Sequence, residues 1–273
     1  MKIGNREFDT LHKTYLMGIL NVTPDSFSDG GKWNSLDKAL QHAEDMVKEG
    51  ADIVDIGGES TRPGHIQITE EEEIARVVPM IEAVKQRIDV PVSIDTYKYS
   101  VAKAAIEAGA DLVNDIWGLK YDPKMAGLIA DTKVACCLMH NKDKAEYAHF
   151  YEDILRETAE CVALAKAAGI EDDKIILDPG VGFGKTCEMN LETIHYMERF
   201  HRLGYPLLLG TSRKSVIGLT LDLPADQRVE GTLVTTVMAV MKKYAFVRVH
   251  DVKENKRAIQ MTEAILAAGT DEE

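Results

Sequence analysis

The feature of this sequence that most constrains its fold is a regular alternation of short apolar runs with longer amphipathic segments. Eight runs have the length and composition of buried strands, at 15–20, 52–56, 91–94, 112–116, 134–139, 174–177, 206–209 and 246–249. Strands joined by one helix each must run parallel, because a crossover helix returns the chain to the same end of the sheet. About eight such units favour a closed (β/α)8 TIM barrel of the α/β class, with an open doubly wound sheet as the alternative.

Chain length and charge narrow the class of protein further. The 273 residues match the length of one such barrel, and the chain has no linker or low-complexity tract, so we predict a single domain over 1–273. A formal net charge of −13 argues against a nucleic-acid partner, whose binding surface is usually basic. An anionic ligand would need local cations or backbone N–H groups to hold it against this background.

The sequence also bears on location. Residues 1–10 contain no apolar signal-peptide run, and no stretch approaches the ~18 apolar residues of a membrane span. The cysteines show no CxxC spacing, and we interpret them as buried free thiols rather than metal ligands: Cys136, Cys137, Cys161 and Cys187. A soluble cytoplasmic protein with no membrane partner is therefore predicted.

Hydrogen-bonding side chains follow the predicted strands at their C-terminal ends, where barrels of this type place their working groups. Asp95, Asn114 and Asp178 end the third, fourth and sixth strands. They offer acceptors and one amide that also donates, which suits the edge of a flat heterocycle bearing amino and ring N–H groups. A single Asp after a strand is as often a helix N-cap, so the prediction depends on their joint position.

Cationic side chains occupy the same predicted rim. Arg62, Lys214, Arg248 and His250, together with Asn21, suit an oxyanion such as phosphate. Arginine presents a planar fork of donors to such a group, and lysine presents a point charge. A polar heterocycle at the bottom of the site and a phosphate at its mouth form the simplest ligand that uses both sets.

Six motifs, in this order, resemble the dihydropteroate synthase family of the folate pathway. They are MGILNVTPDSFSDGG at 17–31, DIGGESTRPG at 55–64, NDI at 114–116, LDPGVGFGK at 177–185, SRKS at 212–215 and RVHD at 248–251. The resemblance extends from about residue 16 to residue 265. One departure is the stretch 141–147, which lacks the glycine and proline that the family often has there.

The resemblance implies a role for each matching position. The pterin ring would be held by Asp95, Asn114, Asp178 and Lys214, with Ile116 and Met139 beside its faces. Asn21 would help to bind Mg²⁺ at the diphosphate, which would contact Arg62, Arg248 and His250. The site for p-aminobenzoate would be shaped by Phe27, Thr61, Pro63, Phe183 and Ser215. The family also suggests a homodimer, formed through helices at about 232–242 and 254–266.

The expected chemistry is displacement of diphosphate from the pterin methylene by an aromatic amine. The carboxylates Asp95 and Asp178 would stabilise positive charge on the ring, while Mg²⁺, Arg62, Arg248 and His250 would stabilise the leaving group. Two alternatives stay open at this point. A methyltetrahydrofolate-dependent methyltransferase would not need the cations, and a catalytically silent pterin-binding homologue would be expected to have lost one of them.

Overall fold

The structure, a computed structural model, describes residues 1–22, 32–59 and 67–268, with residues 32–35 described as backbone only. Its main feature is a sheet of eight parallel strands: β3 Tyr15–Asn21, β4 Ile53–Gly57, β5 Val92–Asp95, β6 Leu112–Asp115, β7 Ala135–Met139, β8 Ile175–Asp178, β9 Leu208–Leu209 and β10 Phe246–Val249. A short antiparallel pair, β1 Lys2–Ile3 and β2 Arg6–Glu7, precedes them. Each of the eight predicted strands is present within one or two residues of its expected bounds.

The sheet closes into a barrel. The hydrogen-bonded order is β8, β7, β6, β5, β4, β3, β10 and β9. A parallel bridge between Leu177 and Leu207 joins the two outer strands, supported by a bond from Leu177 N–H to the Pro206 carbonyl at 2.9 Å. The predicted (β/α)8 barrel is therefore confirmed, and the open doubly wound sheet is not the arrangement.

Helices follow the strands and cover the outside of the barrel. They are α1 Lys32–Glu49, α2 Glu70–Arg87, α3 Tyr99–Glu107, α4 Met125–Thr132, α5 Phe150–Ala168, α6 Cys187–His195, α7 Ser215–Leu221, α8 Val229–Met241 and α9 Val252–Ala267. Strand residues that point outward pack on these helices in the larger apolar core. In the part of the chain that the structure describes, no helix is long and apolar enough to cross a membrane.

A second, smaller core fills the N-terminal half of the barrel interior. It collects inward-facing strand residues, including Met17, Ile53, Cys137 and Phe246. Phe8, from the segment that follows β2, closes this end, with its ring 5.6 Å from that of Phe246. Because side chains alternate between the two faces of a strand, the residues two positions further along each strand also face inward, above this core. Those positions form the floor of the site described next.

Candidate active site

The floor of the site is built from the second inward-facing layer of the strands. Its members lie two residues after the inner layer of the barrel, which is apolar except for Ser93 on β5: Asp55 on β4, Asp95 on β5, Asn114 on β6, Met139 on β7, Asp178 on β8 and Arg248 on β10. All of them except Arg248 are less than a tenth exposed. The structure thus brings together at one end of the barrel the four residues predicted to meet there: Asp95, Asn114, Asp178 and Arg248.

Arg248 lies at the centre of this layer and is held by two carboxylates. Its Nε donates to Asp55 Oδ2 at 2.6 Å, and its Nη2 donates to Asp95 Oδ2 at 2.6 Å. The amide of Asn114 lies beside the pair, with Nδ2 3.4 Å from Asp55 Oδ2. Asp55 did not figure among the residues predicted for the site. It lies inside a strand rather than after one. Two signals could have revealed it: it faces the same side of the strand as Ile53 and Gly57, and it is the first residue of the motif at 55–64.

Two carboxylate oxygens of this layer accept no hydrogen bond from any described residue: Asp55 Oδ1 and Asp95 Oδ1. Burial raises the pKa of the Asp95 carboxyl to about 7, although the Arg248 cation acts in the opposite direction. Buried acceptors are normally satisfied, because an unpaired one loses its hydration without compensation. The pair of open oxygens therefore indicates where a ligand with N–H donors would bind.

Asp178 and Lys214 form the second charged part of the floor. Asp178 Oδ1 accepts the Gly180 N–H at 2.7 Å, and Lys214 Nζ donates to the Val181 carbonyl at 2.5 Å. Burial raises the pKa of Asp178 and lowers that of Lys214 to about 8, and each opposes the change in the other. A Cβ at Gly210 would lie 3.4 Å from Asp178 Oδ2, so the glycine leaves open space beside this carboxylate.

Apolar side chains form a wall over this floor. Ile116 and Met139, both predicted for the site, pack with Tyr97 in a small cluster of their own, separate from the main cores. Trp117 and Phe183 lie at its edge, and the Lys214 ammonium is 4.6 Å from the centre of the Phe183 ring. Carboxylates below and flat apolar groups beside them are what a planar polar heterocycle requires. Tyr97 and Trp117 were not predicted.

The remaining predicted residues lie toward the mouth. Asn21 ends β3, where a Cβ at Gly57 would be 3.6 Å from Asn21 Oδ1 and 3.7 Å from Asp95 Oδ2. His250 follows β10, with Nδ1 3.0 Å from the Ser212 hydroxyl. Ser215 is exposed as the first residue of α7. Four predicted residues lie outside the described residues: Phe27, Thr61, Arg62 and Pro63.

Two neighbouring motif residues have structural roles. Asp115, beside Asn114, accepts the N–H groups of Trp117 and Leu119, both at 2.8 Å, and so shapes the turn after β6. Arg213, beside Lys214, is bound by both oxygens of Asp251, at 3.0 and 2.5 Å. The aspartate and arginine next to the site residues thus support the two loops rather than face the floor.

A closed barrel with carboxylates, an amide and cations under an apolar wall defines a class of enzymes that bind a flat polar heterocycle together with an anion. A family model described as pterin binding enzyme matches residues 17–250 of the chain. This match makes the heterocycle of that class a pterin.

Individual relatives show which kind of pterin-binding enzyme this chain resembles. The dihydropteroate synthase of Clostridium beijerinckii is 60% identical over 267 residues, which cover 97% of this chain and 99% of that protein. A crystal structure of the Clostridium difficile dihydropteroate synthase, determined in the presence of pteroic acid, superposes with a TM-score of 0.93 at 51% identity and covers 95% of this chain and 99% of that one. The Xanthomonas albilineans dihydropteroate synthase with 4-aminobenzoic acid gives a TM-score of 0.90 at 39% identity, covering 94% and 95%.

The chain therefore belongs to the dihydropteroate synthase family. The family predicted from the six sequence motifs is confirmed, and so is the enzyme class, a transferase of folate biosynthesis.

Proposed function

We propose that the chain condenses 6-hydroxymethyl-7,8-dihydropterin diphosphate with p-aminobenzoate to give 7,8-dihydropteroate and diphosphate. One observation carries the proposal: Arg248 joins two buried carboxylates whose free oxygens, Asp55 Oδ1 and Asp95 Oδ1, meet no donor among the described residues. An aminopterin ring supplies N–H donors of the kind these oxygens lack. The relatives with pteroic acid and 4-aminobenzoic acid support both halves of the product.

The pterin ring would lie on the floor with its hydrogen-bonding edge toward the carboxylates. Asp95 and Asp178 would accept its N–H groups, and Asn114 would both donate and accept. Ile116 and Met139 would contact the ring faces, and Lys214 would donate to a ring acceptor from beside Phe183. Methylene and diphosphate would then point to the mouth, where Asn21 and His250 lie.

In the reaction the bond from the pterin methylene to the diphosphate oxygen breaks, and a bond from that carbon to the amine nitrogen forms. The nitrogen then loses a proton. An aromatic amine is a modest nucleophile, so the leaving group would depart early and leave positive charge on the pterin. Asp95 and Asp178 would stabilise that charge electrostatically, and Arg248 and His250 would stabilise the departing anion. No covalent intermediate with the protein is needed.

A magnesium ion would complete the mouth of the site by offsetting the charge of the diphosphate. Mg²⁺ is usually bound by one or two protein oxygens together with substrate phosphates and water. The amide oxygen of Asn21, at the end of β3, fits as such a ligand. The residues that the structure describes contain no group of three acidic, His or Cys side chains that could hold the ion alone, which agrees with a metal that arrives with the diphosphate.

The test is an incubation with the pterin diphosphate, p-aminobenzoate and Mg²⁺, followed by measurement of released diphosphate and of dihydropteroate. We expect both products in equal amounts, and none without the amine. Omitting Mg²⁺ or adding a chelator should lower the rate. A methyltransferase or a silent pterin-binding protein would release no diphosphate.

The variant Asp178→Ala tests the assigned floor. Loss of a charged acceptor removes roughly 1.5–3 kcal/mol, so pterin affinity should fall about 10- to 100-fold by calorimetry. Asp172→Ala is the matched control, because Asp172 pairs with Lys166 at 3.0 Å on the surface. Unchanged affinity in Asp178→Ala would contradict the binding mode.

We also propose that the protein forms a homodimer. Helices α8 and α9 expose large apolar side chains, among them Val234, Met241, Met261 and Ile265, each more than half exposed. Light scattering after gel filtration would give the mass.

A cytoplasmic location stays a prediction from the sequence.

A further inference from the structure

The site contains a cation to which the proposed chemistry assigns no role: Lys185, the last residue of the glycine-rich segment 178–185. Its Nζ donates to the carbonyl oxygens of Gly180 at 2.9 Å and Phe183 at 3.1 Å, and lies 3.0 Å from His140 Nδ1. An ammonium group has three N–H donors. All three of them are therefore directed at protein atoms rather than at the open part of the site.

The carbonyls that Lys185 binds belong to the turn that shapes the pterin floor. Gly180 has a φ of +70°, and a Cβ there would come within 1.8 Å of the His140 carbonyl oxygen. Gly180 N–H donates to Asp178, and the Gly180 carbonyl accepts the Phe183 N–H at 3.1 Å. Lys185 thus ties together the backbone on which Asp178 and Phe183 are presented.

Behind Lys185 a histidine and a glutamate hold the ammonium in place. His140 is 1% exposed, and its Nε2 lies 2.9 Å from Glu157 Oε2 on α5. Burial, helped by the Lys185 charge, lowers the pKa of His140 to about 3, so the ring is neutral. Since Lys185 donates to Nδ1, the ring proton is on Nε2 and is donated to Glu157. The cationic Lys185 is therefore connected to the anionic Glu157 through the neutral ring of His140.

Lys185 also acts on Asp178 through space. Its charge lowers the pKa of Asp178, against the larger effect of burial, and so favours the carboxylate. The charged and titratable groups that face Lys185 are Asp178, Glu157, Lys214 and His140. Burial lowers the pKa of Lys185 itself to about 7, opposed by Asp178, so binding is best measured near pH 6, where the ammonium form predominates.

We infer that Lys185 is a positioning residue for pterin binding. Anchored by His140 and Glu157, it fixes the shape of segment 178–185 and favours the ionised form of Asp178, while its own donors stay on the protein. The inference rests on the proposed function, because it assumes that Asp178 receives the pterin ring.

The first test is Lys185→Met, titrated calorimetrically with 6-hydroxymethylpterin. Loss of a charged hydrogen bond should weaken binding at pH 6 by about tenfold or more. The acid limb of the affinity, which is the loss of affinity as the pH is lowered, should also lie at higher pH in the variant, because Asp178 loses a neighbouring cation. A change in packing alone would not move that limb. Lys166→Met is the matched control, since Lys166 is exposed and pairs with Asp172.

A pair of histidine variants provides a test that does not depend on the folding of Lys185→Met. In His140→Asn the amide oxygen can replace Nδ1 and still accept from Lys185, whereas His140→Gln reaches toward Glu157 and leaves Lys185 one acceptor short. We expect affinity for 6-hydroxymethylpterin to be about fivefold or more weaker in His140→Gln than in His140→Asn. Equal affinities in these two variants would overturn the inference.

The failure of this inference and the failure of the proposed function are distinguishable. If the unmodified protein neither binds 6-hydroxymethylpterin nor releases diphosphate, the proposed function is wrong. If it does both, and Lys185→Met binds with unchanged affinity and an unchanged acid limb, the proposed function stands and the positioning role of Lys185 is wrong.

Discussion

Two buried clusters in this protein each join one cation to two carboxylates, and they differ in how fully the carboxylates are satisfied. The floor cluster consists of Arg248, Asp55 and Asp95, with each contact at 2.6 Å. The flank cluster consists of Lys98, Glu59 and Glu73, with contacts of 2.7 and 2.8 Å. In both clusters the carboxylate side chains are no more than 5% exposed.

The flank cluster uses its hydrogen-bonding capacity within the protein. Lys98 Nζ has a third acceptor in the Ile68 carbonyl at 2.9 Å. Glu59 also accepts the Tyr97 hydroxyl at 2.7 Å and the Ile68 N–H at 2.9 Å. In the described part of the chain, no fully buried side-chain oxygen of this cluster lacks a hydrogen-bond partner. Such saturation is typical of a structural cluster.

The floor cluster leaves one oxygen of each carboxylate without a described donor. Leaving a buried acceptor open costs about 1–3 kcal/mol, and the same fold satisfies the flank cluster completely. The difference indicates that the open acceptors belong to ligand binding. Removal of the central cation should therefore affect catalysis at the floor and stability at the flank.

The largest expected effect is that of Arg248→Met. Breaking a buried ion pair costs about 3–5 kcal/mol, and here the loss falls on carboxylates that we propose bind the substrate. We expect kcat/KM for the pterin diphosphate to fall by about 10³-fold. The free energy of unfolding should fall by less than this 3–5 kcal/mol. Asp95 has a pKa of about 7, so it can take up a proton and become neutral once the Arg248 cation is gone. Steady-state kinetics and chemical denaturation measure the two effects.

The matched control for this variant is Arg87→Met, since Arg87 is exposed and pairs with Glu44 at 3.4 Å. It should retain the kinetics of the parent protein. If Arg248→Met is strongly destabilised yet keeps its kcat/KM, the floor cluster has a structural role like that of the flank cluster, and the prediction is wrong.

The second effect is that of Lys98→Met, which removes the ammonium group from beside the buried Glu59 and Glu73. We expect the free energy of unfolding to fall by about 3–5 kcal/mol, which corresponds to a melting temperature lower by roughly ten degrees. Pterin affinity, measured well below the melting temperature, should change much less than in Arg248→Met. Lys103→Met, at an exposed pair with Glu107, should be neutral. A loss of pterin affinity without a loss of stability would reverse the comparison.

The contrast between the clusters shows what the sequence can predict. The strands, and the positions of Asp95, Asn114 and Asp178 at strand ends, can be predicted from the local sequence, because the periodicity and the end of a strand are visible within one short segment. The partners of Arg248 cannot be predicted from the local sequence. Arg248 on β10 reaches Asp55 on β4, and the two strands are separated by β3, so the contact exists only once the last strand in the sequence has paired with the first strand of the barrel.

The flank cluster was beyond sequence reasoning for a related cause. Glu73 is one of four consecutive glutamates, from Glu70 to Glu73, in the first turn of α2. Such a run reads as a solvated helix start, because acidic residues are favourable there. Only the packing of α2 against the barrel selects Glu73 for burial beside Lys98.

The smallest expected effect is on the pH dependence of stability. In the free protein the pKa of Asp95 is raised from 3.8 to about 7, chiefly by burial. Between these values the folded state holds a proton that the unfolded state has lost, so the free energy of unfolding falls as pH rises from about 4 to 7. The slope is at most about 1.4 kcal/mol per pH unit. Asp95→Asn abolishes this contribution.

Melting temperatures of the parent and Asp95→Asn, measured from pH 5 to 8, test this prediction. The parent should lose stability relative to the variant as pH rises, and then level off above pH 7. Asp45→Asn is a control of opposite sign, because its hydrogen bond with Lys48 lowers the pKa of the exposed Asp45, and its contribution changes only below this range. A difference that is constant from pH 5 to 8 would mean that Asp95 is as well satisfied as Glu59, and the distinction between the two clusters would fail. Adding 6-hydroxymethylpterin should reduce the pH-dependent loss in the parent, because a donor on Asp95 favours its ionised form.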